Sequence, residues 1–194
     1  MNQRDRDKAD TRQRIVDAAL RLFADRGYDR TSMGQIAKAA ETSRANLYLH
    51  FSGKPHIVQE RMTQIEPEVV ALFDRLDAMQ DFSLENLTAW LEDDRSTYRD
   101  HPAEFEAISQ AMSADDEVLD EWIRLHERIV ARQQWLTRLF PDEEERLDRA
   151  AHMTTLMFST ERNFDVLYLR RRPYLDEGRI LRSLARQWYH LFHS

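Results

Sequence analysis

The sequence predicts an all-α protein with a small three-helix domain ahead of a larger helical body. Three observations carry this expectation. Only 4 Gly and 5 Pro punctuate the 194 residues, so long stretches run free of the strongest turn formers. Apolar residues in those stretches recur at i, i+3, i+4 and i+7, the spacing of a helix face. The stretch from Thr31 to Lys54 holds two short patterns of this kind, separated by a tight turn.

Residues 1–9 are polar and densely charged and are expected to form a disordered arm. Arg4, Arg6 and Lys8 stand among Asp5, Asp7 and Asp10, so the arm's positive charge is diluted. A first helix is expected from about Thr11 to Arg26, burying Val16, Ala19, Leu20 and Phe23, with Gly27 stopping it. Ser32 and Gln35 have the S-x-x-Q spacing of a capping box, which satisfies backbone donors left open by a first turn. Thr31 is nearly as good a cap. Met33, Ile36, Ala37 and Ala40 then form one apolar face. Ser43 can cap a second short helix whose inward anchors are Leu47 and Phe51. Arg44, Ala45, Asn46 and Tyr48 are left outward, a polar face that packing explains poorly. It suits the reading helix of a helix-turn-helix, which enters a DNA major groove by its N-terminal half.

The run from Thr11 to Tyr28, then Thr31 to Ala37, then Leu47-Tyr48 through His50-Phe51 to Lys54, resembles the N-terminal domain of the TetR family of bacterial transcriptional repressors in order and spacing. The resemblance implies a helix-turn-helix DNA-binding domain over residues 10–55. It implies that Tyr48, His50 and Lys54 grip phosphates, and a hydroxyl and cations near helix ends suit such sequence-blind contacts. Thr31, Ser32 and Ser43 add hydroxyls and helix N-terminal donors. Base reading falls to Arg44 against guanine, Asn46 against adenine and Ala45 against a thymine methyl. Where the family has Gly and an aliphatic residue before the cap, this chain has Glu41 and Thr42. A non-Gly residue in a left-handed turn costs roughly 1 kcal/mol.

Residues 56–194 are expected to be a ligand-binding and dimerisation body. A long helix leads from Lys54 to about Gln80, broken or bent at Pro67. Further helices are expected from Leu84 to Arg99, Pro102 to Met112, Asp115 to Phe140, Pro141-Asp142 to Leu169, and Asp176 to Phe192. Arg170-Arg171-Arg172-Pro173 closes the fifth of these with cations and a proline. The last two helices carry more apolar surface than ordinary surface elements, which suggests a homodimer. TetR-like proteins are similar in pairing through their two final helices. Phe164, Leu167, Leu181, Leu184 and Trp188 are the expected interface residues. The resemblance also implies a pocket for a small-molecule inducer, for which Trp90, Phe105, Met112, Trp122, Trp135, Met157 and Glu161 are the candidate walls. Thr160-Glu161-Arg162-Asn163 interrupts an otherwise apolar helix and needs partners if buried.

Net charge is −7, but it is unevenly divided. Residues 1–60 carry 11 Lys/Arg against 8 Asp/Glu, and residues 61–194 carry 17 against 27. A net +3 end and a net −10 body fit a chain that presents one end to DNA. The absence of cysteine excludes disulfides and thiolate chemistry. No apolar run reaches the roughly 20 residues that span a bilayer, so no membrane partner and a cytoplasmic location are expected. Enzyme motifs are lacking: there is no nucleophile elbow and no phosphate-cradling Gly loop. His126-Glu127 begins like a zinc-protease helix, but Val130 stands where the second ligand belongs, and His190 and His193 sit near the end of the chain. No metal and no cofactor are expected. Two functional readings follow. One is a homodimeric repressor that binds pseudo-palindromic operator DNA and is released by a small, largely apolar molecule. The other is a DNA-tethered module whose body docks a protein, without an inducer.

Overall fold

The computed structural model describes residues 2–169 and 176–193. The Arg170-Arg171-Arg172-Pro173 stop lies outside them. Among the described residues there are ten α-helices and no strand: α1 (Gln3–Arg26), α2 (Met33–Ala39), α3 (Arg44–His50), α4 (Lys54–Asp77), α5 (Leu84–Asp100), α6 (Pro102–Met112), α7 (Asp116–Arg132), α8 (Gln134–Leu139), α9 (Glu143–Phe164) and α10 (Glu177–His193). The protein is all-α, as expected. A π-helical stretch, Asp165–Leu169, continues directly from α9.

The chain forms two compact units that do not follow its order. One comprises Met1–Ile65 and Ala103–Trp122, and the other Glu66–Pro102 and Ile123–Ser194. The expected division at residue 55 therefore misses a return of the chain. Phe105, Ala107, Ile108 and Ala111 of α6 are buried in the first unit, which periodicity alone could not assign.

Three helix boundaries differ from expectation. The arm is helical from Gln3, because Asn2 and Asp5 form a reciprocal capping box. The Gln3 amide also donates to Asp7 one turn on, at 2.8 Å, so local polar pairing sustains the turns ahead of the apolar face. The expected helix from Asp115 to Phe140 is divided at Gln133. There the Trp135 N–H donates to Asp77 Oδ1 at 2.8 Å, and the Trp135 indole donates to Gln133 Oε1 at 3.0 Å. A carboxylate 58 residues away thus caps α8 and makes the break favourable. By contrast, α4 runs through Pro67 without division.

The interface expectation needs the larger correction. Leu181, Leu184 and Trp188 on α10, and Phe164 on α9, are buried within the chain, while Leu167 is half-buried. Trp188 donates its indole N–H to Thr160 Oγ1 at 3.0 Å and meets Trp90 edge-on, with ring centroids 4.8 Å apart. The apolar excess of α10 is spent on α5 and α9 of its own chain. The expected pocket walls also separate. Phe105, Met112 and Trp122 belong to the first unit, and Trp90, Trp135, Met157 and Glu161 to the second. Trp90 donates to Leu72 O at 2.9 Å, and Trp135 packs among Phe82, Phe140 and Phe192, so both serve as core.

Candidate nucleic-acid interface

Helices α1 to α3 belong to the first unit, and Ile15, Val16, Ala19, Phe23, Ile36, Ala37 and Leu47 form their shared interior. The Ser32–Gln35 capping box starts α2 as expected, and Ser43 caps α3 by accepting from the Asn46 N–H at 3.0 Å. Between them, Glu41 adopts φ 53°. Its N–H reaches Lys38 O at 3.2 Å and the Thr42 N–H reaches Ala37 O at 3.0 Å. This pair is a Schellman ending, so the turn keeps the geometry that glycine would favour although glutamate occupies it.

The outer face of α3 is open. Arg44, Ala45 and Tyr48 are exposed, Tyr48 by 54%. The Arg44 guanidinium lies against Gly34 of α2. Asn46 donates its amide to Thr42 Oγ1 at 2.7 Å, which orients it and uses one of its two N–H groups. Leu49, unremarked in the sequence, is 81% exposed. Its position two residues after the inward Leu47 turns it about 200° away on a helix, a signal that was available.

Three expected contacts look different in three dimensions. Thr31 is buried, and its hydroxyl donates to Gly27 O at 2.9 Å, so it closes the α1–α2 turn and offers nothing outward. His50 is no cation. Burial, assisted by Arg12 and then Lys8, lowers its pKa, and its Nδ1 is buried with no hydrogen-bond partner. Lys54 is half-buried, with Nζ 4.1 Å above the Tyr28 ring and donating to Tyr28 O at 2.8 Å. An ammonium has three N–H groups, so two remain for another acceptor.

Two residues that the sequence reading passed over hold this arrangement. Arg12 donates to His50 O at 2.7 Å and to Glu60 Oε2 at 2.6 Å, with its guanidinium 4.1 Å above the Phe51 ring. It supplies a cation to the negative end of α3 and fixes that end to α1 and α4. Tyr28 does the same for the α1–α2 turn. Its N–H donates to Gln110 Oε1 at 2.8 Å, and its hydroxyl donates to Asp115. Burial, and then that bond, keep the phenol protonated far above its usual range.

Residues 15–60 match the family model described as bacterial regulatory proteins, tetR family. The chain belongs to the TetR family. Over 51 residues it is 49% identical to the HTH-type transcriptional regulator AcrR of Shigella flexneri, covering 26% of this chain and 24% of that protein. Over 50 residues it is 44% identical to the HTH-type transcriptional regulator SrpR of Pseudomonas putida, covering 26% and 24%. The match thus spans about a quarter of the length of these relatives. Beyond the TetR domain the likeness is one of fold. NalD, the secondary repressor of the MexAB-OprM multidrug efflux pump in Pseudomonas aeruginosa, superposes with a TM-score of 0.65 at 18% identity, covering 95% of this chain and 96% of NalD. A transcriptional regulator from Aquifex aeolicus VF5 gives 0.62 at 20% identity, covering 93% and 98%. All four are regulators or repressors, and none is an enzyme.

Proposed function

We propose that this TetR-family chain is a homodimeric transcriptional repressor that reads a pseudo-palindromic operator with α3 and is released by a small molecule. The observation that carries the reading is the outer face of α3. A capped, rigidly seated helix leaves Arg44, Ala45 and Tyr48 in solvent, a cost in unsatisfied surface that only a partner recovers. Arg44 suits the O6 and N7 of guanine, Ala45 a thymine methyl, and Asn46 an adenine edge through its remaining donor. Ser32, Ser43, Tyr48, His50 Nε2 and the free donors of Lys54 supply phosphate contacts that fix register.

Because Leu181, Leu184 and Trp188 are spent on the interior, pairing falls to the outer face of α9. Leu147, Ala151 and Thr155 are exposed there at i, i+4 and i+8, Leu147 by 64%. A two-fold dimer presents its reading helices symmetrically, so half-sites lie a helical turn, about 34–36 Å, or a multiple of it apart. A ligand releases DNA only by favouring a body arrangement that misplaces the two heads. By linkage it then binds the DNA-free dimer more tightly, by the factor with which it weakens DNA binding. The helix α4, which runs through Pro67 from the first unit into the second, is the lever.

Selection of bound sequences from a random DNA pool tests this reading. Wild type yields an inverted repeat. Arg44→Ala changes the base preferred at one position of each half, with a discrimination of about 1–3 kcal/mol lost. Tyr48→Phe weakens all sequences alike. A pool that remains random, or a preference untouched by Arg44→Ala, removes α3 from the reading role.

A further inference from the structure

In the second unit, α5, α7 and α9 bring together side chains that a hydrophobic core does not need. Asp94 and Tyr98 lie one turn apart on α5, and Tyr98 is buried. His126 of α7 is 2% exposed and lies 2.8 Å from Glu161 Oε1 of α9, whose side chain keeps 23% of its surface uncovered. The ring of Phe158 stacks on His126 with centroids 4.6 Å apart and planes 9° from parallel. Asp94 is half-buried, within electrostatic reach of Glu161 and Tyr98, and makes no hydrogen bond or ion pair among the described residues.

Carboxylates placed in poorly solvated surroundings destabilise a fold unless they are paired or neutralised. Glu161 has His126. Asp94 has nothing, and the neighbouring Glu161 makes its ionisation harder still. Burial and that charge push Asp94 up to about 8, and they also hold the Tyr98 phenol protonated well above its usual range. A neutral ligand would leave this unsatisfied, and an anion would make it worse. A cation would satisfy Asp94 and leave the His126–Glu161 contact intact. The described residues hold no group of three or more metal-ligating side chains, which disfavours a metal ion. Aromatic rings beside the carboxylates suit a soft, weakly hydrated organic cation.

We propose that Asp94, Tyr98, His126, Phe158 and Glu161 form the recognition site for the ammonium head of an organic cation, with Asp94 as its counter-ion. The inference rests on the ligand-responsive reading above and names the class of ligand.

The test uses the full-length protein with benzyltrimethylammonium and its uncharged isostere, neopentylbenzene. Binding is followed by calorimetry, and operator affinity is measured with each compound present. The cation binds at least tenfold more tightly than the isostere, and its affinity rises from pH 6 to pH 8 and then levels as Asp94 ionises. At pH 7 binding expels a proton, so the measured heat depends on the buffer's ionisation enthalpy. Asp94→Asn removes the proton release and at least tenfold of the cation's affinity, while neopentylbenzene binds as before. Glu161→Gln weakens the cation without abolishing the proton release. Equal binding of the two compounds, no binding of the cation, or unchanged cation affinity in Asp94→Asn overturns the cation site. Release of operator by neopentylbenzene alone would do so too while leaving the inducible reading intact. Binding of the cation through Asp94 with operator affinity unaltered would establish the site and overturn the inducer reading instead.

Discussion

The guanidinium of Arg44 lies across Gly34, so closely that a methyl group on Gly34 would fall 2.2 Å from Arg44 Nη2 and 2.7 Å from Cζ. The glycine is therefore the floor on which the proposed base-reading arginine rests. Only the far end of a flexible side chain stands in the way. Gly34→Ala should consequently displace Arg44 without disrupting α2, and the helix itself gains about 0.5–1 kcal/mol from losing an internal glycine. Urea unfolding is expected to show stability unchanged or raised, while site selection shows altered preference at the position read by Arg44. Loss of stability together with unchanged preference would mean that the contact has no part in reading.

Glu41 holds φ 53° at the Schellman ending of α2. A side chain costs about 1–2 kcal/mol in the left-handed region. Glu41→Gly should stabilise the protein by about 1 kcal/mol, read as a raised urea midpoint with an unchanged slope. A fall in the midpoint would show that the Glu41 side chain contributes more than its backbone strain.

Asp94 ionises near pH 8 in the folded protein and near its ordinary value of 3.8 when unfolded. Between those values the native state binds the extra proton, so this group's contribution to stability is complete below about pH 4 and is lost as pH rises towards 8. Asp94→Asn should flatten that decline and gain most over wild type at the alkaline end. Parallel pH–stability curves for the two proteins would show that Asp94 titrates normally.

Leu184 and Trp188 are interior residues, so a charge at either destroys the second unit and leaves no folded monomer to observe. Leu184→Asp should lose cooperative unfolding, since an unpaired buried charge is among the few changes that exceed about 4 kcal/mol. Leu147→Glu combined with Ala151→Arg, on the exposed face of α9, should stay folded and sediment as a monomer with little operator affinity. A double variant that remains dimeric would place the pairing surface elsewhere.

The sequence alone determined the reading head. The Ser32–Gln35 box, the Ser43 cap, the Gly27 stop and the departure at Glu41 all act over five residues or fewer, and each stands in the structure as its spacing implies. Hydrogen bonds between near neighbours along a helix depend on which residues lie three or four positions apart, and a sequence states that outright. The body obeyed longer-range choices. Gln133 breaks a helix because Asp77 caps Trp135 from 58 positions away. Glu161, singled out as an anomaly in an apolar helix, found its partner in His126, 35 positions earlier. Periodicity shows that one face of α10 is apolar, but not whether a second copy or the chain's own α5 and α9 will cover it. That choice belongs to tertiary packing, because burial is defined by whatever arrives on the other side.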